Sequence, residues 1–109
     1  MPISEFIKEV REGVNRLLDL IPLLEKEGFS VSLYVEDGEF PTLFFEKGEI
    51  KGRILYYFDP NREGFWLDSL RKKDKEIVNE LSYSDPPLGT EWFFASKGGI
   101  LRKLKEAVK

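Results

Sequence analysis

The chain of 109 residues contains no cysteine, no histidine and no glutamine, and a single methionine. Without cysteine there is no thiolate nucleophile and no sulfur metal ligand, and without histidine the commonest general base is missing. These absences exclude cysteine-based redox chemistry, histidine general-base catalysis and any metal site built from these two residue types. We therefore predict a protein that is not an enzyme and that holds neither a metal nor a cofactor.

The same composition bears on the source and location of the protein. Scarce heat-labile side chains together with many Glu, Lys and Arg residues are typical of a thermophile. No apolar run approaches the length of a membrane span, and the first residues, Met1 to Glu5, lack the basic and apolar parts of a secretory signal. We expect a soluble, cytoplasmic protein that does not bind a membrane.

Charge is distributed unevenly along the chain. Residues 1–49 hold 5 basic and 11 acidic side chains, whereas residues 50–109 hold 12 basic and 9 acidic ones. A net charge of -3 is not typical of a nucleic-acid-binding protein. The second half can nevertheless present a basic surface, because local potential matters more than the sum; ordinary interspersed surface charge is the alternative.

The first part of the chain predicts a helix. Apolar side chains recur at three- and four-residue steps over residues 4–27, with Ser4 as a plausible N-cap and Gly28 as a stop signal. Pro22 lacks an amide proton and would clash with a carbonyl one turn earlier. We therefore expect a kink or a restart near Asp19.

Turn signals then divide the chain into four strands, over residues 29–36, 40–46, 49–58 and 63–68. The short connections leave no room for a crossover helix, so we predict an antiparallel meander in the order of the sequence. Helices over residues 69–81 and 100–109 complete the prediction: one α+β domain over residues 1–109, with an N-terminal helix, a four-stranded antiparallel meander and C-terminal helices.

The predicted helix over residues 69–81 begins with three successive basic residues, Arg71, Lys72 and Lys73. Positive charge near a helix N-terminus opposes the helix dipole and costs about 0.3–1 kcal/mol per residue. A cost retained in the sequence hints at an anionic partner. The alternative is that the neighbouring acids Asp68, Asp74 and Glu76 neutralise the cluster.

Adjacent aromatic residues occur in three of the strands, for example Phe44-Phe45 and Tyr56-Tyr57. Because side chains alternate along a strand, each such pair places one ring on each face of the sheet. The alternation assigns Phe45, Tyr56, Phe58 and Phe65 to the core and leaves a second aromatic set, interleaved with Lys51 and Arg53, on the other face.

Stacking rings among basic side chains are what single-stranded nucleic acid requires from a protein surface. We therefore predict that aromatic and basic side chains on this second face and near it bind single-stranded DNA or RNA without sequence specificity. The alternatives are that the C-terminal segment 92–94 covers this face, or that a second subunit does so in a homo-oligomer. The predicted nucleic-acid-binding residues are Tyr34, Phe44, Lys51, Arg53, Tyr57, Trp66, Arg71, Lys72, Lys73 and Trp92.

This order of elements, with the stretch from Tyr57 to Asp68 as its most suggestive part, resembles the ThermoDBP family of archaeal single-stranded DNA-binding proteins and their shorter relatives. The resemblance implies non-specific binding of single strands in an aromatic cleft flanked by basic residues, and assembly into a homo-oligomer. It carries no diagnostic motif, so the site residues depend on strand alternation alone.

A second resemblance is local. Residues 52–59 followed by residues 70–73 are similar to the central strands and basic segment of RelE/HigB-type toxins, which are ribosome-dependent mRNA endonucleases. That resemblance implies RNA cleavage with Arg53, Tyr57, Lys72 and Lys73 at the matching positions. A complete additional hairpin before these strands and about 30 residues after them depart from the toxin pattern.

Overall fold

The computed structural model of the chain describes residues 3–36, 40–59, 62–78 and 92–108. These residues form an α+β fold, as predicted, with two helices and one antiparallel sheet. In chain order the elements are α1 (Ile3–Lys26), β1 (Ser30–Tyr34), β2 (Thr42–Lys47), β3 (Ile50–Asp59), β4 (Arg62–Lys72), β5 (Lys75–Val78), β6 (Phe93–Phe94) and α2 (Lys97–Ala107).

Helix α1 ends where the sequence predicts. Gly28 adopts a positive φ of 94°, its amide donates to Glu25 O at 2.9 Å, and the amide of Phe29 donates to Leu24 O at 3.1 Å. This pair of hydrogen bonds is a Schellman motif, which satisfies carbonyls that the helix end leaves open. The helix continues through Pro22 as one element, so the restart expected near Asp19 does not occur.

The sheet confirms the predicted meander and extends it. Strands β1 to β5 follow one another in the order of the sequence, and β6 pairs with β4 on the same side as β5. The two-residue turn at Gly48 and Glu49 joins β2 to β3, as the Lys47-Gly48 signal predicts. The sheet therefore has more strands than the four in the prediction.

The helix predicted over residues 69–81 is wrong for its described part, residues 69–78. Strand β4 continues to Lys72, a turn at Lys73 and Asp74 reverses the chain, and β5 follows. Lys73 takes the left-handed conformation that such a turn needs, with φ of 57°. The strand avoids the unfavourable dipole interaction that the basic cluster would have in a helix. Residues 79–81 lie outside the described residues.

Both helices pack on one face of the sheet, which we call the inner face. Leu17, Leu20 and Leu24 of α1 and Ile100 and Leu104 of α2 are fully buried against it. The opposite side is the outer face, and no helix among the described residues lies on it. The strands bury Leu43, Phe45, Ile54, Tyr56, Phe65 and Leu67 on the inner face. Three of the four core residues predicted from alternation are among them, and the fourth, Phe58, is partly buried against the same core.

A bulge in β4 changes which side chains reach each face. Arg53 is opposite Ser69 whereas its neighbour Ile54 is opposite Leu67, so Asp68 is an extra residue in β4. After a bulge the alternation of the strand shifts by one residue. Leu67 and Leu70 therefore both point to the inner face, although strict alternation would separate them.

Candidate functional site

Seven of the ten predicted site residues share the outer face. The register places Tyr34, Leu55 and Trp66 in one row across the sheet, Phe44 and Arg53 in the next, and Lys51 and Arg71 in a third. Arg71 joins this face because of the bulge at Asp68. The outer-face residues from the prediction are thus Tyr34, Phe44, Lys51, Arg53, Tyr57 and Trp66, with Arg71 as a seventh.

One end of the outer face is open to solvent. Phe44 is 43% exposed, although it lies in the second strand of the sheet. It borders a shallow depression of about 360 Å³ that also contacts Lys51, Arg53, Arg71 and Glu76. Tyr34, which is 50% exposed, makes an edge contact with the Phe44 ring at a centroid distance of 6.3 Å. An exposed ring therefore lies beside three cationic side chains.

Arg53 is held at the bulge. It donates from Nε and from Nη2 to Oδ2 of Asp68, and the Nε–Oδ2 distance is 2.7 Å. The Asp68 residue is 5% exposed, and the Arg53 side chain keeps about a quarter of its surface in solvent. Two hydrogen bonds to a buried carboxylate fix the guanidinium in place. Arg53 therefore shapes one side of the depression.

The exposed cations of this region each lie near a carboxylate. Lys51 Nζ is 4.0 Å from Glu46 Oε2, and Arg71 Nη2 is 2.8 Å from Glu76 Oε1. These side chains are all about half exposed or more, so solvent screens both pairs. The open end therefore carries paired charges of both signs, which agrees with the interspersed surface charge that the sequence analysis gives as the alternative to a basic surface.

The other end of the outer face is closed by aromatic rings. Tyr57 is only 3% exposed, with the ring of Phe40 at 5.0 Å, Phe93 at 6.0 Å and Trp66 at 6.3 Å. Gly64, opposite Tyr57 in β4, has no side chain to occupy the space that Phe93 fills. The predicted cover by residues 92–94 is therefore present over Tyr57, which is unavailable as a stacking surface in this arrangement.

Of the three remaining predicted site residues, Lys72 and Trp92 lie away from the open end, whereas Lys73 borders a second depression together with Lys51 and Arg71. Lys72 faces inward and donates from Nζ to Val108 O, at the end of α2, at 3.1 Å. Trp92 packs against the inner-face core with Lys103 Nζ 5.1 Å from its ring. Lys73 lies in the turn after β4, 3.8 Å from Glu49. The four positions suggested by the toxin resemblance, Arg53, Tyr57, Lys72 and Lys73, consequently do not share one surface.

Three residues of the outer face, Phe40, Glu76 and Phe93, are not among the predicted site residues, although Phe93 belongs to the segment 92–94 that one alternative places over this face. Glu76 was placed on a helix, so its position opposite Arg71 was not expected. Phe40 and Phe93 each contact Tyr57, but one precedes β2 and the other follows a long connection. The sequence signal for Phe93 is its place in the Trp92-Phe93-Phe94 run, which predicts rings on both sides of a strand.

No family model, no curated protein and no solved structure matches this chain. Across the described residues, no helix is both long and apolar enough to cross a membrane. The part of the chain that the structure describes also contains no cluster of three acidic residues placed to hold a metal ion. Any functional proposal consequently depends on the geometry of the outer face.

Proposed function

We propose that the open end of the outer face binds single-stranded nucleic acid without sequence specificity. The observation that carries this proposal is the exposed Phe44 ring in a depression bordered by Lys51 and Arg71. A base would stack on or against Phe44, with Tyr34 extending the aromatic surface, and the two cations would contact phosphates. Stacking is tolerant of sequence because every base has a π-face.

The neighbouring carboxylates do not prevent this role. Exposed ion pairs contribute only about 0–1 kcal/mol, so a phosphate can displace Glu46 from Lys51 and Glu76 from Arg71 at low cost. Arg53 is different, because its carboxylate partner is buried. In the proposal Arg53 stays hydrogen-bonded to Asp68 and forms one side of the depression, and Lys51 and Arg71 contact the phosphates.

Two phosphate contacts predict weak binding with a modest dependence on salt. Each neutralised phosphate of a single strand contributes a slope of about -0.7 to the plot of log K against log salt concentration, so the expected slope is about -1.4. A strongly basic groove with many contacts would give a steeper slope. The salt dependence therefore reports how many cations take part.

The decisive experiment removes the exposed ring. We expect Phe44→Ala to weaken binding of fluorescein-labelled oligo-dT, measured by fluorescence anisotropy at low salt, by about 5- to 150-fold, the equivalent of one lost stacking contact. Leu18→Ala is the matched control, since Leu18 is 47% exposed and lies on α1, on the far side of the sheet. Equal affinity of both variants for the oligonucleotide would refute a stacking role for Phe44.

A second variant tests the charges. The double substitution Glu46→Gln and Glu76→Gln leaves the shape of the depression unchanged and frees Lys51 and Arg71, so the oligonucleotide should bind more tightly. Asp19→Asn with Glu25→Gln, at exposed positions of α1, makes the same change of net charge and controls for its general effect. Unchanged or weaker binding by the Glu46 and Glu76 variant would contradict phosphate contact at these cations.

A further inference from the structure

Strand β1 forms an edge of the sheet that lacks the usual protection. It pairs with β2 on one side, and no described residue pairs with its other side. Residues Ser30 to Val35 contain no charged residue and no proline. An extended edge with unpaired backbone groups is a template for another strand, and proteins usually block it with charges, proline or a bulge.

The opposite edge of the sheet shows this protection. There β5 has four residues, of which Lys75 and Glu76 are exposed charges, and β6 has two. The connection over residues 79–91 begins after β5 and ends before β6, and both of these strands lie beside β4. The described strands on either side of this connection therefore lie at the edge far from β1.

We propose that β1 pairs with β1 of a second copy of this chain, antiparallel and about a two-fold axis, so that the two sheets become one. The register that pairs all five residues places Ser32 opposite Ser32 of the second copy, and Val31 opposite its Leu33. In this register inner-face residues of one copy lie opposite inner-face residues of the other. The inner faces of the two sheets therefore form one continuous surface. Val31 and Leu33, both partly buried against the core, become more fully covered.

A second copy suits this edge because the strand is complementary to itself. No charged residue of β1 faces its equivalent, so the pairing carries no like-charge cost. Two exposed serines, Ser30 and Ser32, lie on the outer face, where they tolerate close approach of another strand. The inference is independent of nucleic-acid binding. It does align Phe44 of both copies in one row, three strand spacings or about 14 Å apart.

Because the chain contains no cysteine, a single introduced cysteine tests this register directly. Ser32→Cys places two thiols opposite each other at the two-fold axis, within the range of about 4.4–6.8 Å between Cα atoms that a disulfide needs. Ser30→Cys is the matched control on the same strand and face. Its equivalent in the second copy lies four residues along the strand, about 13 Å away. We expect a disulfide-linked dimer from Ser32→Cys under mild oxidation and very little from Ser30→Cys.

A charge-exchange experiment tests the pairing without a covalent bond. Ser32→Lys and Ser32→Glu each bring like charges together at the axis, so sedimentation should show the dimer dissociation constant rising by about fivefold or more. An equimolar mixture of the two variants should regain the dimer. Circular dichroism checks that both variants stay folded, as expected for an exposed position. A monomeric wild-type chain at high micromolar concentration, or equal cross-linking of the two cysteine variants, would overturn the proposal.

Discussion

Gly52 shows how a single missing side chain permits the packing between β3 and its neighbours. A Cβ atom there would overlap the end of the Phe45 ring, lying 2.8 Å from its Cε2, and would approach Ser69 O of the β4 backbone to 2.7 Å. The backbone oxygen cannot move away without disturbing the strand pair. The Phe45 ring is itself buried in the core and has little room to shift.

We predict that Gly52→Ala lowers the free energy of unfolding by about 1–3 kcal/mol, the usual cost of overpacking. Gly98→Ala is the control, because a Cβ at Gly98 would meet no atom within 4 Å. At this exposed position in α2 the substitution should be neutral or slightly stabilising. Urea unfolding of both variants compares them, and equal midpoints would contradict the close packing described at Gly52.

Tyr56 links stability to alkaline pH. Burial raises the pKa of its hydroxyl far above the ordinary value, and the hydrogen bond from Tyr56 Oη to Glu63 Oε2 at 2.6 Å raises it further. The folded protein therefore holds this proton more tightly than the unfolded chain does. The resulting stabilisation is complete below the unfolded pKa of about 10 and is lost as the pH rises above it.

We expect the free energy of unfolding of the wild-type chain to fall between pH 8 and pH 11, and Tyr56→Phe to lose less over the same interval. Phenylalanine keeps the ring contact with Phe65, at a centroid distance of 5.3 Å, but has no proton to release. Urea unfolding at the two pH values supplies the comparison. Identical losses in the two proteins would mean that Tyr56 does not control the alkaline limit.

At the scale of elements, the turn between β4 and β5 depends on one residue in an unusual conformation. Lys73 has φ of 57°, and its amide donates to Glu49 O, in the turn between β2 and β3, at 3.1 Å. A residue with a side chain pays about 1–2 kcal/mol to adopt the left-handed region, and this cost is largest for a β-branched residue. Glycine avoids that cost, although it loses more freedom on folding.

The prediction for this hairpin is that Lys73→Gly is more stable than Lys73→Val by about 1 kcal/mol or more. Both substitutions remove the exposed ion pair to Glu49, so the charge change is the same in each. Thermal unfolding ranks the two variants directly. If Lys73→Val were as stable as Lys73→Gly, the turn would not need the left-handed conformation.

The sequence predicts those elements whose signals are local. The Schellman end of α1 follows from Gly28, and the inner-face core follows from alternation in β1 to β3. It does not predict β5, because the turn at Lys73 and Asp74 lacks glycine and a basic run tells little about backbone conformation. It also does not predict the face on which Lys72 lies, because the extra residue Asp68 shifts the alternation of the β4 residues that follow it.

For the candidate site, alternation correctly brings Phe44, Lys51 and Arg53 together on the outer face. The alternation does not predict how deeply each side chain of this face is buried. Tyr57 and Phe44 share a face, yet one is 3% and the other 43% exposed, because Phe40 and Phe93 come from distant parts of the chain to cover Tyr57. Contacts between segments far apart in sequence set this difference.

For the whole molecule, the net charge of -3 opposes long-range attraction of a polyanion. Basic nucleic-acid-binding proteins associate faster at low salt because their field steers the ligand. If the proposed function is right, this chain should behave in the opposite way: its association rate constant with oligo-dT should stay constant or rise as salt screens the repulsion.

Stopped-flow anisotropy at several salt concentrations measures that rate constant. The weakening of equilibrium binding by salt should then come from faster dissociation, once local contacts to Lys51 and Arg71 are screened. An association rate that falls steeply with added salt would indicate a basic surface larger than these two residues. Such a result would direct attention to Lys73, which borders a second depression together with Lys51 and Arg71.

The bulge at Asp68 decides which face each later residue of β4 occupies. If Asp68 took a regular place in the strand, strict alternation would exchange Arg71 with Lys72. The cation that borders the depression and the cation that caps α2 would then trade positions, with no basic residue gained or lost. Deletion of Asp68 would instead remove the bulge and leave both cations on their present faces, so the charge pattern of this surface depends on how the strand accommodates one residue.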